Sequence, residues 1–239
     1  MLTVPQTAAL LRTFDNILIL THVRPDGDTV GCAAALCAGL RSLGKTAFLL
    51  PNPELTDTTA PYFRPYEAPE CFTPDKVVST DIATVGLFPE NARPYAERVD
   101  LAIDHHPSFE SFGRENIVRP EAAACGELIY DILSDLGPIT PEMALPLYVA
   151  LSTDTGCFKY SNTTAHTHAA AATLIAAGAE VYPINKAFFD TKSFARLKLE
   201  ARLTDSIELY GGGIVGLCTM PKSLLDELHI SEDDVDSIS

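Results

Sequence analysis

The hydrophobic positions of this chain fall in short solid runs separated by longer, mixed stretches. Ile17–Leu20, Ala47–Leu50, Val77–Thr80 and Leu101–Ile103 are apolar, and Gly, Pro or acidic residues bound them. Runs of that length and punctuation predict buried strands. Between and after them, Thr29–Leu43, Ala122–Leu136 and Ala165–Ala177 are rich in Ala and Leu and predict helices. Thr140 with Pro141 marks a further helix start, and that helix would end at Asp154 although Pro146 lies inside it. The alternation predicts an α/β fold, a three-layer α/β/α domain around a mostly parallel sheet. Pro51–Pro74, with six prolines, interrupts the rhythm and reads as a surface excursion near the cleft.

The ends of these runs carry the chemistry. Ile17–Leu20 leads into Thr21-His22-Val-Arg-Pro25-Asp26-Gly27-Asp28, a strand-to-helix loop of the kind that lines the ligand crevice of an open parallel sheet. The third run ends at Asp81, the fourth at Asp104-His105-His106, and the helix after Thr140 ends at Thr153-Asp154-Thr155-Gly156. Taken one at a time, these acids have ordinary readings: Asp28 as a helix cap, Asp26-Gly27 as a turn, Asp81 and Asp154 as turn formers. Four such turns with histidines among them are better explained as a metal site. Imidazole and carboxylate without thiolate is a hard donor set, suited to Mn²⁺ or Mg²⁺ more than to structural zinc. Converging aspartates repel one another, so the expectation is two divalent ions.

Composition narrows the partners. Seventeen basic against 32 acidic residues leave a net charge of −15, without the basic footprint that long duplex nucleic acid requires. A short oligonucleotide or small nucleotide remains compatible, because bound divalent ions would make the cleft locally attractive to phosphate. The six cysteines form no C-x-x-C pair and read as small buried hydrophobes in a reducing compartment. No apolar run is long enough to span a bilayer, and the N-terminus lacks signal-peptide features, so the chain reads as cytoplasmic with no membrane partner.

The blocks His22-x-x-Pro25-Asp26-Gly27-Asp28, Asp81, Asp104-His105-His106 and Thr153-Asp154-Thr155-Gly156 resemble, in order and spacing, the four motifs of the DHH (Asp-His-His) phosphoesterase superfamily. The run Phe158-Lys-Tyr-Ser161-Asn162-Thr163-Thr164 is similar to the branch of bifunctional oligoribonucleases and pAp phosphatases. The resemblance implies a Mn²⁺-dependent phosphoesterase, with Mg²⁺ an alternative ion. Its metal ligands would be His22 and Asp26 on one ion, Asp28, His105 and Asp154 on the other, and Asp81 bridging. Asp104 would orient a histidine, and His106 would face phosphate or donate a proton. Two ions can share and acidify a water for in-line attack, so no protein nucleophile is needed.

Lys159 would neutralise a substrate phosphate or be an ordinary surface lysine; Asn162 would fix the loop after Asp154 or simply form a turn. His166 and His168 point to different helical faces and make poor joint ligands. His229 has no evident partner. The expected organisation is a phosphoesterase domain over 1–186, a helical connector over 187–205, and over 206–239 the beginning of a second, smaller α/β domain for substrate binding, apparently incomplete. Gly211–Gly213 is read as a hairpin turn, since no Lys-Ser/Thr follows it. Alternatives within the superfamily are cyclic-dinucleotide phosphodiesterase, pyrophosphatase or polyphosphatase activity; outside enzymes, a metal- or nucleotide-binding module without efficient turnover. A homodimer is the favoured assembly.

Overall fold

In the computed structural model, residues 1–230 are described. The chain divides into two compact units, Met1–Phe189 and Asp190–Ser239. Residues 231–239, the end of the expected second domain, lie outside the described residues.

The first unit is built on five parallel strands: β1 (Ile17–Leu20), β2 (Ala47–Leu49), β3 (Lys76–Thr80), β4 (Leu101–Asp104) and β5 (Glu115–Val118). Their order is β2-β1-β3-β4-β5. The order reverses direction between β1 and β3, so a crevice opens there at the carboxyl ends of the strands. Both faces of the sheet are covered, which explains why its strands are solid apolar runs rather than alternating ones. Ile17, Ile19, Val78, Leu101 and Ile103 join one core cluster with α1 (Val4–Thr13), α2 (Gly27–Ser42), α4 (Cys125–Leu136) and α5 (Pro141–Asp154). Leu18, Leu20, Val77 and Ala102 join the other, with Ile82, Phe88, Ala92 and Val99. That second cover is made of loops and 3₁₀ turns at Val85–Leu87 and Arg93–Arg98.

Two of the elements lie outside those that the apolar runs predict. One is α1, which starts on a capping box between Thr3 and Gln6. The other is β5, an edge strand of mixed polarity whose outer side receives the Leu2 amide on the Asn116 carbonyl at 2.7 Å. The proline-rich excursion holds α3 (Ala60–Phe63), which seats Phe63 in the core. At the amino ends of the strands the buried Asp100 carboxylate accepts from the Val77 amide (3.0 Å), Lys76 Nζ (3.2 Å) and Arg114 Nη1 (3.3 Å). The end of the sheet opposite the crevice is thereby pinned.

Helices α2 and α5 lie against each other at Gly31. A Cβ there would fall 2.3 Å from the Pro146 carbonyl oxygen and 2.9 Å from the Ala150 amide nitrogen. Pro146 is buried within α5, which continues unbroken to Asp154. The unit is completed by α6 (Ala165–Ala176) and α7 (Val181–Asn185), the latter running into a π-helical turn at Lys186–Asp190.

In the second unit, α8 (Phe194–Asp205) precedes an antiparallel hairpin of β6 (Glu208–Tyr210) and β7 (Val215–Leu217), followed by α9 (Lys222–Leu228). Gly211, Gly212 and Gly213 turn the hairpin with φ of 59°, 72° and 90°, a run that only glycines tolerate without strain. An Arg202–Glu227 ion pair at 2.9 Å joins α8 to α9. His229 ends α9 in a left-handed conformation.

The Gly31 contact is backbone against backbone, so Gly31→Ala is expected to destabilise the protein by about 1–3 kcal/mol in urea unfolding. Gly137→Ala, where the backbone is extended and nothing lies within 4 Å of the new methyl, should stay within about 0.5 kcal/mol. Equal stability of the two variants would mean that α2 and α5 separate without cost.

Candidate metal centre

The crevice at the strand reversal collects side chains from all four acidic turns. Each is aimed by its own local structure. In the loop after β1, Asp26 caps α2, its Oδ1 accepting from the amides of Asp28 (3.0 Å) and Thr29 (3.1 Å). Asn52 holds the same loop, donating to Thr21 Oγ1 (3.1 Å) and to the His22 carbonyl (2.9 Å). Thr29 Oγ1 donates to the Thr80 carbonyl at 3.0 Å, which ties α2 to the end of β3.

Two histidines are set in the same tautomer by the same device. His22 Nδ1 lies 2.6 Å from the Val23 carbonyl, and His105 Nδ1 lies 3.1 Å from the Ala122 carbonyl. A carbonyl only accepts, so Nδ1 carries the hydrogen and Nε2 presents its lone pair to the crevice. His22 Nε2 is 3.7 Å from Asp26 Oδ1 and 3.9 Å from Asp81 Oδ2. His105 Nε2 is 3.7 Å from Asp28 Oδ2, 3.6 Å from Asp81 Oδ1 and 3.5 Å from Asp154 Oδ2. Asp81 therefore turns one oxygen to each histidine. It does so from a buried position with φ of 59°, a conformation that costs a non-glycine residue energy and is found where geometry matters more than local stability. Its Oδ1 is buried with no hydrogen-bond partner among the described residues.

Asp28 is held from the far side. Its Oδ2 accepts from the Cys125 amide (2.7 Å), and its Oδ1 accepts from the Gly126 amide (2.9 Å) and Cys32 Sγ (3.1 Å). The two amides are the first of α4, so this carboxylate closes the amino end of a helix remote in sequence. Burial pushes the thiols of Cys32 and Cys125 up, the latter to about 11, so they stay protonated and serve as donors rather than as thiolate ligands. Sequence reasoning misses residues 122–126 as supports of the site; a glycine at a helix start is their one visible mark.

Asp104 orients His106: its Oδ1 accepts from the His106 amide (2.5 Å) and faces His106 Nδ1 (2.9 Å). That hydrogen bond raises the basicity of His106, which is half-exposed and also lies 3.6 Å from Asp81 Oδ1. Asn162 Nδ2 donates to the carbonyls of Asp154 and Ala123, both at 3.0 Å, and so fastens the loop after α5. Lys159 is at the surface, with Nζ 5.7 Å above the Phe189 ring. His166 and His168 are apart from this group: His166 Nε2 is 3.2 Å from Asp131 Oδ1, and His168 stacks on Phe158.

The electrostatics indicate what the cluster would hold. Burial first, then the charges of Asp154 and Asp26, push the Asp28 carboxyl well above the usual carboxylate range. Burial and then Asp28 do the same to Asp81. Asp154 is pushed up to about 6, by burial and to a lesser degree by Asp26, against the pull of His105 and His106. Buried acids this close together need protons or cations. Among the described residues three groups have donor atoms within 4.8 Å of one another: His22, Asp26 and Asp81; Asp28, His105 and Asp154; and Asp81, His105 and His106. Oxygen- and imidazole-rich sets of this kind, with an orphaned carboxylate oxygen between them, fit hard divalent cations. Among the described residues no helix is long and apolar enough to cross a membrane.

Comparison with known proteins agrees with the fold. The bifunctional oligoribonuclease and PAP phosphatase NrnA of Thermus thermophilus is 30% identical over 213 residues, 86% of this chain and 63% of that protein. The chain thus spans less than two thirds of that relative's length. NrnA of Mycoplasma genitalium is 27% identical over 241 residues, 93% of this chain and 71% of the relative. An exopolyphosphatase-related protein from Bacteroides fragilis shares the fold with a TM-score of 0.86 at 22% identity, covering 98% of this chain and 74% of that one. Residues 16–151, which contain the whole parallel sheet and three of the four acidic turns, match the DHH family, N-terminal domain, and the chain belongs to that family.

Proposed function

We propose that this chain is a two-metal phosphoesterase that hydrolyses short oligonucleotides and the 3′-phosphate of pAp, with Mn²⁺ as the working ion. The observation that carries the reading is Asp81, whose two oxygens face His22 and His105 on opposite sides. A carboxylate can serve two ions at once, whereas each imidazole has one lone pair and serves one. His22 and Asp26 would hold the first ion, Asp28, His105 and Asp154 the second, and Asp81 both. Bound there, the ions supply an acidified water and a clamp for phosphoryl oxygens.

The remaining roles fall to the chain's own groups. His106, held through Nδ1 by Asp104, keeps Nε2 free, and its raised basicity suits it to carry a proton to the departing oxygen. Asn162 positions the Asp154 loop, both of its donated bonds ending on backbone carbonyls. Lys159 is the cation of that loop and would meet a phosphate on leaving Phe189. The names of the NrnA relatives support the choice of substrate, and the net charge of −15 favours a short one. Residues 206–239 would contribute to substrate binding.

The reading is tested by incubating the chain with Mn²⁺ and pAp, a dinucleotide, a cyclic dinucleotide or pyrophosphate. Faster release from pAp and the dinucleotide is expected; turnover of pyrophosphate alone would replace the substrate class.

Asp81→Ala should lower occupancy of both metal positions by elemental analysis while circular dichroism stays native. Loss of one ion with the other fully retained would remove the bridge. His105→Ala should cost the second ion. His106→Ala should keep both ions and slow hydrolysis by about 10²- to 10⁴-fold. The same metal loss in the two histidine variants would collapse the distinction between them.

The raised carboxyls also set a pH dependence for the metal-free protein. Asp154 is pushed up to about 6 when folded, above its ordinary value of 3.8, so between those values the folded state binds more protons than the unfolded one. Stability contributed by this group therefore falls as pH rises through that window. Metal-free Tm is expected to be higher at about pH 5.5 than at about pH 7.5, and added Mn²⁺ should raise Tm more at the higher pH. Asp154→Asn should lessen the metal-free trend, with Asp28 and Asp81 keeping the remainder; an unchanged slope would show that this carboxyl contributes nothing to it.

A further inference from the structure

We propose that Tyr160 is the stacking face for the nucleobase of the substrate, an inference that rests on the nucleotide phosphoesterase reading above. The metal centre addresses phosphate alone. The groups that line it are carboxylates and histidines, and the lysine of the adjoining loop has its ammonium over Phe189. Affinity for the nucleoside portion must then come from something other than charge.

The loop after Asp154 supplies it. Gly156, Cys157 and Phe158 are successively left-handed, with φ of 56°, 58° and 61°, and fold the chain back directly after the ligand position. The Thr155 carbonyl accepts from the Lys159 amide (2.9 Å) and the Tyr160 amide (3.0 Å), and the Tyr160 carbonyl accepts from the Thr163 amide (3.1 Å). Asn162 binds this loop to the Asp154 carbonyl itself. Such fixation matters because a stacking residue contributes most when its own backbone is already ordered.

The ring has a built seat. A Cβ on Gly156 would fall 2.3, 2.5 and 2.7 Å from Cζ, Cε1 and Cε2 of Tyr160, and the hydroxyl oxygen is not among the three nearest atoms. One ring face therefore covers Gly156, and the space a side chain would take is occupied by the aromatic. Tyr160 is nevertheless 61% exposed. A ring backed by polypeptide on one face and open on the other, on a fastened loop just after a ligand position, is the form of a base-stacking platform. Such a platform accepts any base and needs no hydroxyl, in keeping with a phenol that has no hydrogen-bond partner among the described residues.

The test is calorimetric titration of the Mn²⁺-loaded chain with AMP and with ribose 5-phosphate, which share the phosphate and sugar and differ in the base. The chain should bind AMP more tightly by a factor on the order of ten or more. Tyr160→Ala should bring the two ligands to within about twofold of each other, with ribose 5-phosphate affinity and metal content unchanged, and Tyr160→Phe should keep the preference. A preference for AMP that survives Tyr160→Ala, or no preference in the unaltered chain, overturns the proposal. Release of phosphate from pAp is measured separately: a chain that prefers AMP through Tyr160 but releases none loses the phosphoesterase reading and keeps the stacking face.

Discussion

Mutual repulsion among Asp28, Asp81 and Asp154 is the constraint around which the first unit is arranged. Each is driven out of the ordinary carboxylate range first by burial, with other acids adding to it and, at Asp154, two histidines opposing it, and none of them faces an arginine or lysine among the described ion pairs. Such a group persists in a folded protein only if the surrounding structure over-determines it. Here the holding is visible: two amides of α4 and a protonated thiol on Asp28, a left-handed backbone at Asp81, and an asparagine that fastens the loop behind Asp154. The stability that offsets the repulsion lies elsewhere, in the double-faced apolar sheet and in the close approach of α2 to α5 at Gly31.

The strand order explains why these acids meet. A parallel sheet whose order reverses between β1 and β3 leaves its crevice at that point, and His22, Asp26 and Asp28 leave β1 while Asp81 leaves β3. His105 and Asp104 arrive from β4, the next strand. Asp154 comes instead from the end of a helix, and α5 reaches the crevice because Gly31 lets its backbone lie against α2. A larger residue at Gly31 would push α5 outward and displace Asp154 at its end, so packing and the geometry of the acidic cluster are a single problem in this part of the chain.

Much of this was legible in the residues because the signals were local. Solid apolar runs mark β1 to β4 within a residue or so at each end, and the acidic turns stand where such runs stop. The edge strand β5 was not legible: Glu115-Asn116-Ile117-Val118 has little apolar character, and its pairing with β4 and with Leu2 comes from tertiary context. Nor did the residues announce the second sheet cover, where 3₁₀ turns and loops take the place of long helices; Ile82, Phe88 and Ala92 are buried there without helical periodicity. The support of the site was hidden for another reason. Backbone amides carry no sequence signature, so the grip of Cys125 and Gly126 on Asp28 leaves only the glycine as a trace.

The charge balance separates recognition from chemistry. With 32 acidic against 17 basic residues, the chain as a whole repels polyanions, and attraction must be confined to the crevice where divalent charge would sit. A confined positive field can hold one or two phosphates but cannot follow a long backbone, whose binding grows with the number of phosphates neutralised. Length discrimination would then need no blocking wall, since each nucleotide beyond the crevice adds repulsion rather than contact. Discrimination of a nucleotide from a bare phosphate is a different matter, because charge is the same in both. It would require an uncharged contact close to where the ions would sit, and an aromatic face on the Asp154 loop would meet that requirement without adding charge to an already charged site.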